Sequence, residues 1–304
     1  MADQNVVEDL DAEGSRLKVA VLGSGLIGLD LLAKIERSKF LDCQLVVGRD
    51  ENGRGLRKAA SLGYQTSAGG ATSLGADGQA FDIVFDATNA MSHVEHHQHL
   101  EALGALVIDL TPSRIGHMIA PTVNGADALV HRNVSLISCG GQTAIPILHA
   151  LTRVYSPSYI EVVTTAASLS VGRASRLNLD EYISTTQAAV RTFTGASDVK
   201  VMLNISPAQP PITFRVAISM IGDDFDVDVI RKHVTTVAEE VRTFATGFDI
   251  AACSVIDGKA FVAVEVKASG DLIPHYSGNL DIINSAAIYV AEQYAAGRAP
   301  AERP

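Results

Sequence analysis

Cysteine is scarce in this chain of 304 residues, which has only Cys43, Cys139 and Cys253. The three lie far apart in sequence. Such spacing forms neither the closely spaced pairs of a zinc site nor the framework of a disulfide-rich secreted domain. We therefore expect the three thiols to be reduced. That one of them is a reactive residue is a hypothesis to test.

Positive charge and long apolar runs are also lacking. The 24 Lys and Arg residues are outnumbered by 34 Asp and Glu, for a net charge of −10, which argues against nucleic acid or an anionic membrane as the partner. No apolar run is long enough to span a bilayer, and the acidic residues 1–15 lack the apolar segment of a secretion signal. We expect a cytoplasmic protein whose ends, residues 1–15 and 298–304, are frayed. Its length suffices for two domains with separate cores.

A glycine-rich turn separates the first β-type run from a helical stretch. The turn reads Gly23-Ser24-Gly25-Leu26-Ile27-Gly28. This G-x-G-x-x-G pattern after a strand and before a helix is typical of dinucleotide-binding proteins. Gly23 permits the tight turn, Gly25 lets a pyrophosphate approach the backbone, and Gly28 lets the helix pack on the strand. An ordinary glycine-rich turn is the alternative, and the context favours dinucleotide binding.

The residues after the second predicted strand bear on cofactor preference. Asp50 lies about twenty positions beyond the glycines, where an acidic residue commonly binds the ribose 2′-hydroxyl of NAD. Arg49, with Arg54 and Arg57 nearby, could instead accept the 2′-phosphate of NADP, or these cations could simply face solvent. The choice between NAD and NADP stays open.

Strand-like and helix-like runs alternate up to about residue 139 and then change character. The alternation predicts an α/β fold with a Rossmann-type, doubly wound parallel sheet. We expect residues 1–139 to form the dinucleotide-binding domain and residues 140–276 an α+β domain for catalysis and oligomerisation. A helix over residues 277–297 is expected to pack back on the first domain. A hairpin is predicted around Asp257-Gly258.

Cys139 lies between a predicted strand, residues 133–138, and a predicted helix, residues 142–153. Main-chain amides at a helix N-terminus favour a thiolate over a thiol. The glycines that follow, Gly140 and Gly141, would let a substrate carbonyl approach the chain closely. A buried structural cysteine is the alternative to a nucleophile.

Four histidines crowd one predicted helix. His93, His96 and His97 fall near one face, which invites a metal-binding interpretation, but no acidic or cysteine ligands accompany them in the sequence pattern. We expect a solvated or partly packed helix face, and no metal.

Several segments together resemble the acylating acetaldehyde dehydrogenases of meta-cleavage pathways, over about residues 17–296. They are Val21–Gly28, Ile83–Thr88, Ile108–Pro112, Ser138-Cys139-Gly140-Gly141-Gln142 with Ile145-Pro146, Asn178–Tyr182 and Tyr276–Ile282. The resemblance implies an architecture like that of glyceraldehyde-phosphate dehydrogenase, a homodimer, and Cys139 as the catalytic cysteine. It also implies NAD as cofactor, coenzyme A as co-substrate, and a 4-hydroxy-2-oxoacid aldolase as a possible partner that delivers the aldehyde.

The resemblance further implies a set of nucleotide-binding positions. They are Ser24, Leu26 and Ile27 in the glycine turn, the loop Ser170, Val171, Gly172, Arg173, Ala174, Ser175, Arg176, Leu177 and Asn178, and finally Asn279.

The implied reaction begins with attack of a Cys139 thiolate on a small aldehyde. Amides near Gly140 and Gly141, together with Gln142, would hold the oxyanion of the thiohemiacetal. Hydride transfer to the nicotinamide would leave a thioester, and the coenzyme A thiol would take the acyl group. Two other functions remain open: a semialdehyde dehydrogenase or acyl-phosphate reductase that does not use coenzyme A, and a non-catalytic nucleotide-binding subunit of an aldolase.

The sequence departs from the family pattern at two sites. Arg173-Ala174 replaces a Pro-Gly pair in the loop, which changes backbone freedom and adds a cation. Val216 stands where the family has an aspartate suspected of activating the incoming thiol, and valine accepts no proton. The segment between Asp257 and Lys259 is also shorter than is usual in the family, which bears on partner docking.

Overall fold

Two β-sheets and the helices packed on them form the framework of the protein. The computed structural model describes residues 16–269 and 272–298. The predicted acidic N-terminal segment, 1–15, and the last residues of the predicted C-terminal tail, 299–304, lie outside these ranges. Along the described chain, no helix combines the length and the apolar character needed to cross a membrane.

The first sheet is parallel throughout and has seven strands in the order β3-β2-β1-β4-β5-β7-β6. Its strands are β1 Leu17–Leu22, β2 Leu41–Val47, β3 Thr66–Ser67, β4 Ile83–Asp86, β5 Leu106–Asp109, β6 His117–Met118 and β7 Asn133–Ser135. The order reverses between β1 and β4, and ligands of open α/β sheets bind at the carboxyl ends of strands beside such a reversal. The predicted doubly wound parallel sheet is confirmed.

Helices cover both faces of this sheet. They include α1 Leu26–Arg37, α2 Arg54–Ser61, α3 Ala90–Ala102 and the short α4 Pro121–Asn124. Val19 and Val21 of β1 belong to the core on one face, whereas Ala20 and Leu22 belong to the core on the other. Because both faces are buried, the strands are continuous apolar runs rather than alternating ones.

The second sheet is mixed and has five strands in the order β11-β12-β10-β8-β9. Its strands are β8 Tyr159–Ala167, β9 Val199–Ser206, β10 Phe214–Ile221, β11 Phe248–Ile256 and β12 Lys259–Val266. Only β8 and β9 pair in parallel. The predicted hairpin of β11 and β12 is confirmed: Asp257 and Gly258 both have positive φ, 49° and 70°, as a tight hairpin turn requires.

Helices pack on one face of the mixed sheet. They are α5 Cys139–Thr152, α7 Leu179–Thr194 and α8 Val227–Arg242; the short α6, Arg173–Leu177, contacts α7. In β10, Phe214, Val216, Ile218 and Met220 are buried in the core on this face, and the residues between them are more exposed. This period of two is the burial pattern of a sheet with one covered face.

The last helix, α9 Gly278–Gly297, contacts both cores. Ile282 packs in the core of the mixed sheet and Ile283 in that of the parallel sheet. A buried ion pair of 2.8 Å between Lys34 Nζ and Asp281 Oδ1 holds α9 against α1. The start of α9, with Asn279 and Leu280, is thereby fixed at the junction of the two sheets.

Candidate active site

Cys139 is the first residue of α5, and Ser138 is the cap that starts the helix there. Ser138 has an extended backbone, and its Oγ accepts a hydrogen bond of 2.9 Å from the N–H of Gly141. The same oxygen lies 2.7 Å from Thr186 Oγ1 of α7. We expected the helix to begin at Gln142; it begins three residues earlier because a serine cap satisfies an otherwise unpaired amide.

The residue before the cap is strained. Ile137 has a φ of 68°, a left-handed conformation that is unfavourable for a β-branched side chain. Such strain concentrates at functional sites, where the surrounding packing holds it in place. Here it turns the chain sharply from β7 into α5, which leaves Cys139 at the carboxyl edge of the parallel sheet.

Burial opposes ionisation of the Cys139 thiol. It raises the pKa of the thiol to about 11, whereas hydrogen bonds from Tyr182 and from the main-chain N–H groups of Gly140 and Cys139 act in the lowering direction. The helix N-terminus therefore supports the thiolate, as the sequence indicated, but burial outweighs it.

Gly140, Gly141 and Gln142, the expected oxyanion donors, are hydrogen-bonded within the protein. The N–H of Gly140 donates to Tyr182 Oη at 3.0 Å, and that of Gly141 to Ser138 Oγ. Both hydrogens of the Gln142 amide are used, in bonds of 2.7 and 2.8 Å to the main-chain carbonyls of Ile119 and Leu136.

The two glycines allow close packing around Cys139. A Cβ on Gly140 would lie 2.3 Å from Thr164 Oγ1 and 2.4 Å from Tyr182 Oη. A Cβ on Gly141 would lie 2.9 Å from a methyl carbon of Ile137. Glycine is needed here because α5 lies directly against β8 and α7.

Cys139 faces a mainly apolar cavity of about 100 Å³. Several of the predicted positions, far apart in sequence, line it together: Ile27, Val171, Ser175, Asn178 and Asn279. Two buried polar atoms of this lining have no hydrogen-bond partner among the described residues, Thr111 Oγ1 and Asn279 Oδ1. Buried polar atoms are rarely left unpaired, so the lining has hydrogen-bonding capacity for a ligand.

A second cavity, of about 420 Å³, extends from the first along the glycine turn. It is lined by Gly23, Ser24 and Gly25 and by Arg49 and Asp50. Thr88 and Asn89 line both cavities, so the two adjoin between the glycine turn and the cysteine. Cavities placed in this way suit an extended ligand with one end at a helix N-terminus and the other at the thiol.

The glycine turn has the geometry that its motif predicts. Gly23 has a φ of 113°, and a Cβ on Gly28 would lie 1.9 Å from the carbonyl oxygen of Gly23. A Cβ on Gly25 would meet nothing within 4 Å, which leaves space beside the first turn of α1. These positions would accommodate a pyrophosphate at the helix N-terminus.

The basic residues near the glycine turn line two adjoining cavities. Arg49 and Asp50 line the cavity of about 420 Å³, whereas Arg54 and Arg57 line a groove that shares Ser24 and Gly25 with it. A ribose hydroxyl and a ribose phosphate are both compatible with the Arg49-Asp50 pair.

The loop 170–178 contributes unequally to the site. Ser170 offers its main-chain carbonyl to Asn279 Nδ2 at 3.0 Å, which joins the loop to α9, and Gly172 has open space around it. Arg176 donates to the carbonyls of Val171 and Ser168, so it holds the loop together instead of facing the cavity. Leu177 is 67% exposed. Arg176 and Leu177 do not line the cavity at Cys139, and their contacts with a cofactor stay a prediction. The side chains of Arg173 and Ala174 lie outside what the structure describes.

His93 is buried beside two aspartates, whereas His96 and His97 are half-buried, so the helix face is partly packed, as the sequence predicted. Its Nδ1 lies 2.8 Å from Asp86 Oδ2 and 3.7 Å from Asp109 Oδ1. Burial lowers the pKa of His93, but hydrogen bonding to Asp86 and the charge of Asp109 together raise it by more than burial lowers it, so the net shift is upward. Asp109, whose pKa burial raises to about 7, completes this cluster at the ends of β4 and β5.

Three residues at the site were not identified from the sequence. Tyr182 Oη lies 3.6 Å from Cys139 Sγ, and Thr164 Oγ1 lies 3.1 Å from Tyr182 Oη. Thr111 contributes its unpaired hydroxyl to the cavity. The segments that contain Tyr182 and Thr111 were part of the family resemblance, but no local pattern assigns them a role.

Val216, the departure noted in the sequence, is fully buried in β10. It lies directly opposite Thr164 of β8 and opposite Val264 of β12. Opposed residues of paired strands point to the same face. Position 216 therefore lies beside the threonine that is hydrogen-bonded to Tyr182.

Comparison with known proteins agrees with this geometry. Residues 139–274 match the family model described as prokaryotic acetaldehyde dehydrogenase, dimerisation, which supports a homo-oligomer. An acetaldehyde dehydrogenase of Streptomyces griseus subsp. griseus is 54% identical over 278 residues, 91% of this chain and 90% of the relative. One of Geobacillus stearothermophilus is 40% identical over 284 residues, 92% of this chain and 97% of the relative.

The fold has a solved counterpart. Aspartate semialdehyde dehydrogenase II from Vibrio cholerae, in complex with ASA, aligns with a TM-score of 0.66 and 12% identity, covering 94% of this chain and all of that one. Sequence identity this low bears on the fold alone. Taken with the two closely related sequences, these findings show that the chain belongs to the acetaldehyde dehydrogenase family, whose members are oxidoreductases that use a nicotinamide cofactor.

Proposed function

We propose that the protein is a coenzyme A-acylating aldehyde dehydrogenase that oxidises acetaldehyde or another short aldehyde to an acyl-CoA. The observation that carries the proposal is the position of Cys139: at a helix N-terminus, facing a small apolar cavity connected to the glycine turn. Cys139 is the nucleophile. Its sulfur adds to the aldehyde carbon, and after loss of hydride from that carbon the acyl group stays bound as a thioester.

The residues of the cleft fit a nicotinamide dinucleotide. Open space beside Gly25, the amides at the start of α1 and the unpaired Oδ1 of Asn279 suit a pyrophosphate at one end and an amide at the other. A nicotinamide bound there would accept the hydride. Asp50 favours NAD, and the neighbouring Arg49 makes NADP the alternative.

Asn178 and Thr111 are the proposed donors to the aldehyde oxygen. The Oδ1 of Asn178 accepts a hydrogen bond of 2.7 Å from the Ala90 N–H, which leaves the amide nitrogen as its free donor; among the described residues that nitrogen has no partner. The hydroxyl of Thr111 is likewise unpaired. Donors held rigidly in a cavity with little water stabilise developing negative charge more strongly than water does.

The volume of the cavity limits the substrate. The cavity beside the sulfur is small, about 100 Å³. Its lining is mainly apolar and includes Ile27, Leu203 and Ile283. These features favour a short, uncharged aldehyde.

Val216 supports a second candidate, a semialdehyde dehydrogenase or acyl-phosphate reductase that passes the acyl group to an acceptor other than coenzyme A. No carboxylate stands at this position to deprotonate an incoming thiol. The remaining alternative, a non-catalytic nucleotide-binding subunit, does not explain a cysteine that faces one of the two adjoining cavities. Cytoplasmic location, an aldolase partner and the division into residues 1–139, 140–276 and 277–297 are parts of the proposal.

The test is formation of reduced nicotinamide by the purified protein with short aldehydes and either NAD or NADP, with and without coenzyme A. Cys139→Ala is the inactive variant, and Cys253→Ala, which changes a cysteine outside the cavity, is its matched control. Turnover that needs both coenzyme A and Cys139 supports the proposal. Turnover that needs Cys139 and is indifferent to coenzyme A supports the second candidate, and no turnover with any aldehyde supports the non-catalytic role.

A further inference from the structure

The hydroxyl of Tyr182 lies at the junction of three elements. It is 3.6 Å from the sulfur of Cys139 in α5, it accepts a hydrogen bond of 3.0 Å from the Gly140 N–H, and it lies 3.1 Å from Thr164 Oγ1 in β8. Tyr182 is 8% exposed. Within residues 16–269 and 272–298, it provides the one side chain hydrogen-bonded to the sulfur.

The donors and acceptors of this junction permit two arrangements. A phenol has one hydrogen to donate, and the Gly140 N–H already occupies an acceptor position on its oxygen. When Cys139 is a thiol, the phenol donates to Thr164 and the thiol donates to the phenol. When Cys139 is a thiolate, the phenol donates to the sulfur and the Thr164 hydroxyl donates to the phenol.

Tyr182 keeps its hydroxyl proton in both arrangements. Burial and the neighbouring Cys139 hold the pKa of its hydroxyl well above the usual value, so the phenol keeps its proton at any pH at which the enzyme works. The thiol proton therefore passes to a base from solvent, such as hydroxide or a buffer anion, and not to Tyr182. What the phenol supplies is a hydrogen bond to the charged sulfur, which is stronger than one to the neutral thiol.

We propose that Tyr182 is a catalytic residue that stabilises the Cys139 thiolate by donating a hydrogen bond, and that Thr164 is a positioning residue that turns the phenol hydrogen toward the sulfur. The inference rests on the proposed function of Cys139 as nucleophile. It assigns the same donor to two steps, attack on the aldehyde and departure of the sulfur when the acyl group is transferred. In both steps the sulfur carries negative charge, and the hydrogen bond from the phenol stabilises that charge.

The experiment is the rate of Cys139 alkylation by iodoacetamide at several pH values, followed by mass spectrometry of the peptide that contains Cys139. Cys43 and Cys253 in the same digests report any general change in reactivity. Tyr182→Phe is expected to react about tenfold more slowly than the wild type at each pH below the thiol pKa, because a smaller fraction of the sulfur is thiolate. Tyr294→Phe is the matched control, since it removes another buried tyrosine hydroxyl, hydrogen-bonded to Arg132 and remote from the thiol, and should leave the rate unchanged.

Thr164 provides a second, independent variant. Thr164→Val keeps the shape but loses the hydroxyl, and we expect alkylation about threefold slower; Thr164→Ser keeps the hydroxyl and should react at the wild-type rate. If Tyr182→Phe does not fold, these two variants still test whether the hydroxyl pair of Thr164 and Tyr182 stabilises the Cys139 thiolate. Wild-type rates at every pH in Tyr182→Phe, or equal rates in Thr164→Val and Thr164→Ser, would overturn the proposal.

The alkylation assay contains no aldehyde, nicotinamide or coenzyme A. A wild-type protein without dehydrogenase activity whose alkylation still depends on Tyr182 would refute the proposed function and leave the role of Tyr182 intact. If the wild type is an active dehydrogenase and its alkylation rate does not depend on Tyr182, the proposed function stands and the role of Tyr182 is refuted.

Discussion

The side-chain oxygen of Asn178 accepts a hydrogen bond of 2.7 Å from the main-chain N–H of Ala90, and this bond joins the loop before α7 to the first residue of α3. Ala90 begins α3 just after the strand end that carries Asp86. Asn178, which borders the cavity, is thus oriented by a residue of the parallel-sheet region, although Asn178 itself belongs to the chain segment that forms the mixed sheet. Two roles are combined in one side chain: the oxygen fixes the loop, and the nitrogen is available to a ligand.

Substitutions at Asn178 should separate these roles. Asn178→Asp keeps an acceptor for the Ala90 N–H but loses the amide donor, so we expect turnover reduced about 100-fold. Its buried carboxylate should also lower stability where it is ionised, in part offset by the charged hydrogen bond to the Ala90 N–H. Asn178→Ala adds no charge and leaves the buried N–H unpaired, which should cost about 1–3 kcal/mol of stability. Urea unfolding and the aldehyde assay measure the two effects, with the exposed Asn204→Asp as the control for added charge. Equal turnover in Asn178→Asp and the wild type would refute the role of the nitrogen.

Gly28 and Gly25 should respond in opposite ways to alanine. A Cβ on Gly28 would overlap the carbonyl oxygen of Gly23, so Gly28→Ala should lose about 1–3 kcal/mol of stability through overpacking. A Cβ on Gly25 meets no protein atom, so Gly25→Ala should fold normally and bind the dinucleotide at least tenfold more weakly, because the methyl group fills space meant for the pyrophosphate. Thermal unfolding and titration with NAD distinguish them. Unchanged NAD affinity in Gly25→Ala would place the cofactor elsewhere.

Local patterns sufficed for the parallel sheet and the glycine turn. Both are written within short stretches: apolar runs of strand length, glycines at fixed spacing and a helix directly after them. The hairpin at Asp257-Gly258 was predictable for the same reason. The start of α5 was not, because two glycines disfavour a helix and masked the capping role of Ser138.

The contacts that decide the chemistry lie between distant segments. Tyr182 reaches Cys139 only because α7 packs on α5, and Val216 lies beside Thr164 only through the register of β10 with β8. His93 is buried because Asp86 and Asp109 end adjacent parallel strands. Neither composition nor spacing specifies such long-range pairings, so the sequence indicated the nucleophile and left its neighbours unidentified.

The buried cluster of Asp86, His93 and Asp109 should make stability fall as pH rises. Between about pH 4 and pH 7 the native state holds a proton on Asp109 that the unfolded chain has lost, because the native pKa is about 7 and the unfolded value about 4. His93, whose pKa is also raised, contributes stability below its ordinary pKa that is lost as pH rises through the native value. Both effects have the same sign.

Asp109→Asn should remove the first of these dependences. We expect the unfolding free energy of the wild type to fall between about pH 5 and pH 8 and that of the variant to fall less. The difference between the two falls should be on the order of a few kcal/mol. Urea unfolding at several pH values provides the measurement, and the exposed Glu51→Gln is the control. Parallel pH profiles of Asp109→Asn and the wild type would show that Asp109 does not hold this proton.

Val216→Asp tests whether position 216 governs acyl transfer. A carboxylate there would stand opposite Thr164, at the end of the hydrogen-bonded series that leads through Tyr182 to Cys139. We expect a stability loss of several kcal/mol from burying the charge, together with faster acyl transfer to coenzyme A in the variant that remains folded. Single-turnover release of acyl-CoA separates this step from hydride transfer.

Val264→Asp is the matched control for Val216→Asp. Val264 is equally buried and faces the same side of the sheet, but it lies one strand further from Thr164. Its substitution should therefore carry a similar stability loss and bring no gain in acyl transfer. If Val216→Asp and Val264→Asp transfer the acyl group at the same rate, position 216 is not where a base activates the acceptor thiol. The thiol is then activated by a group elsewhere in the cleft.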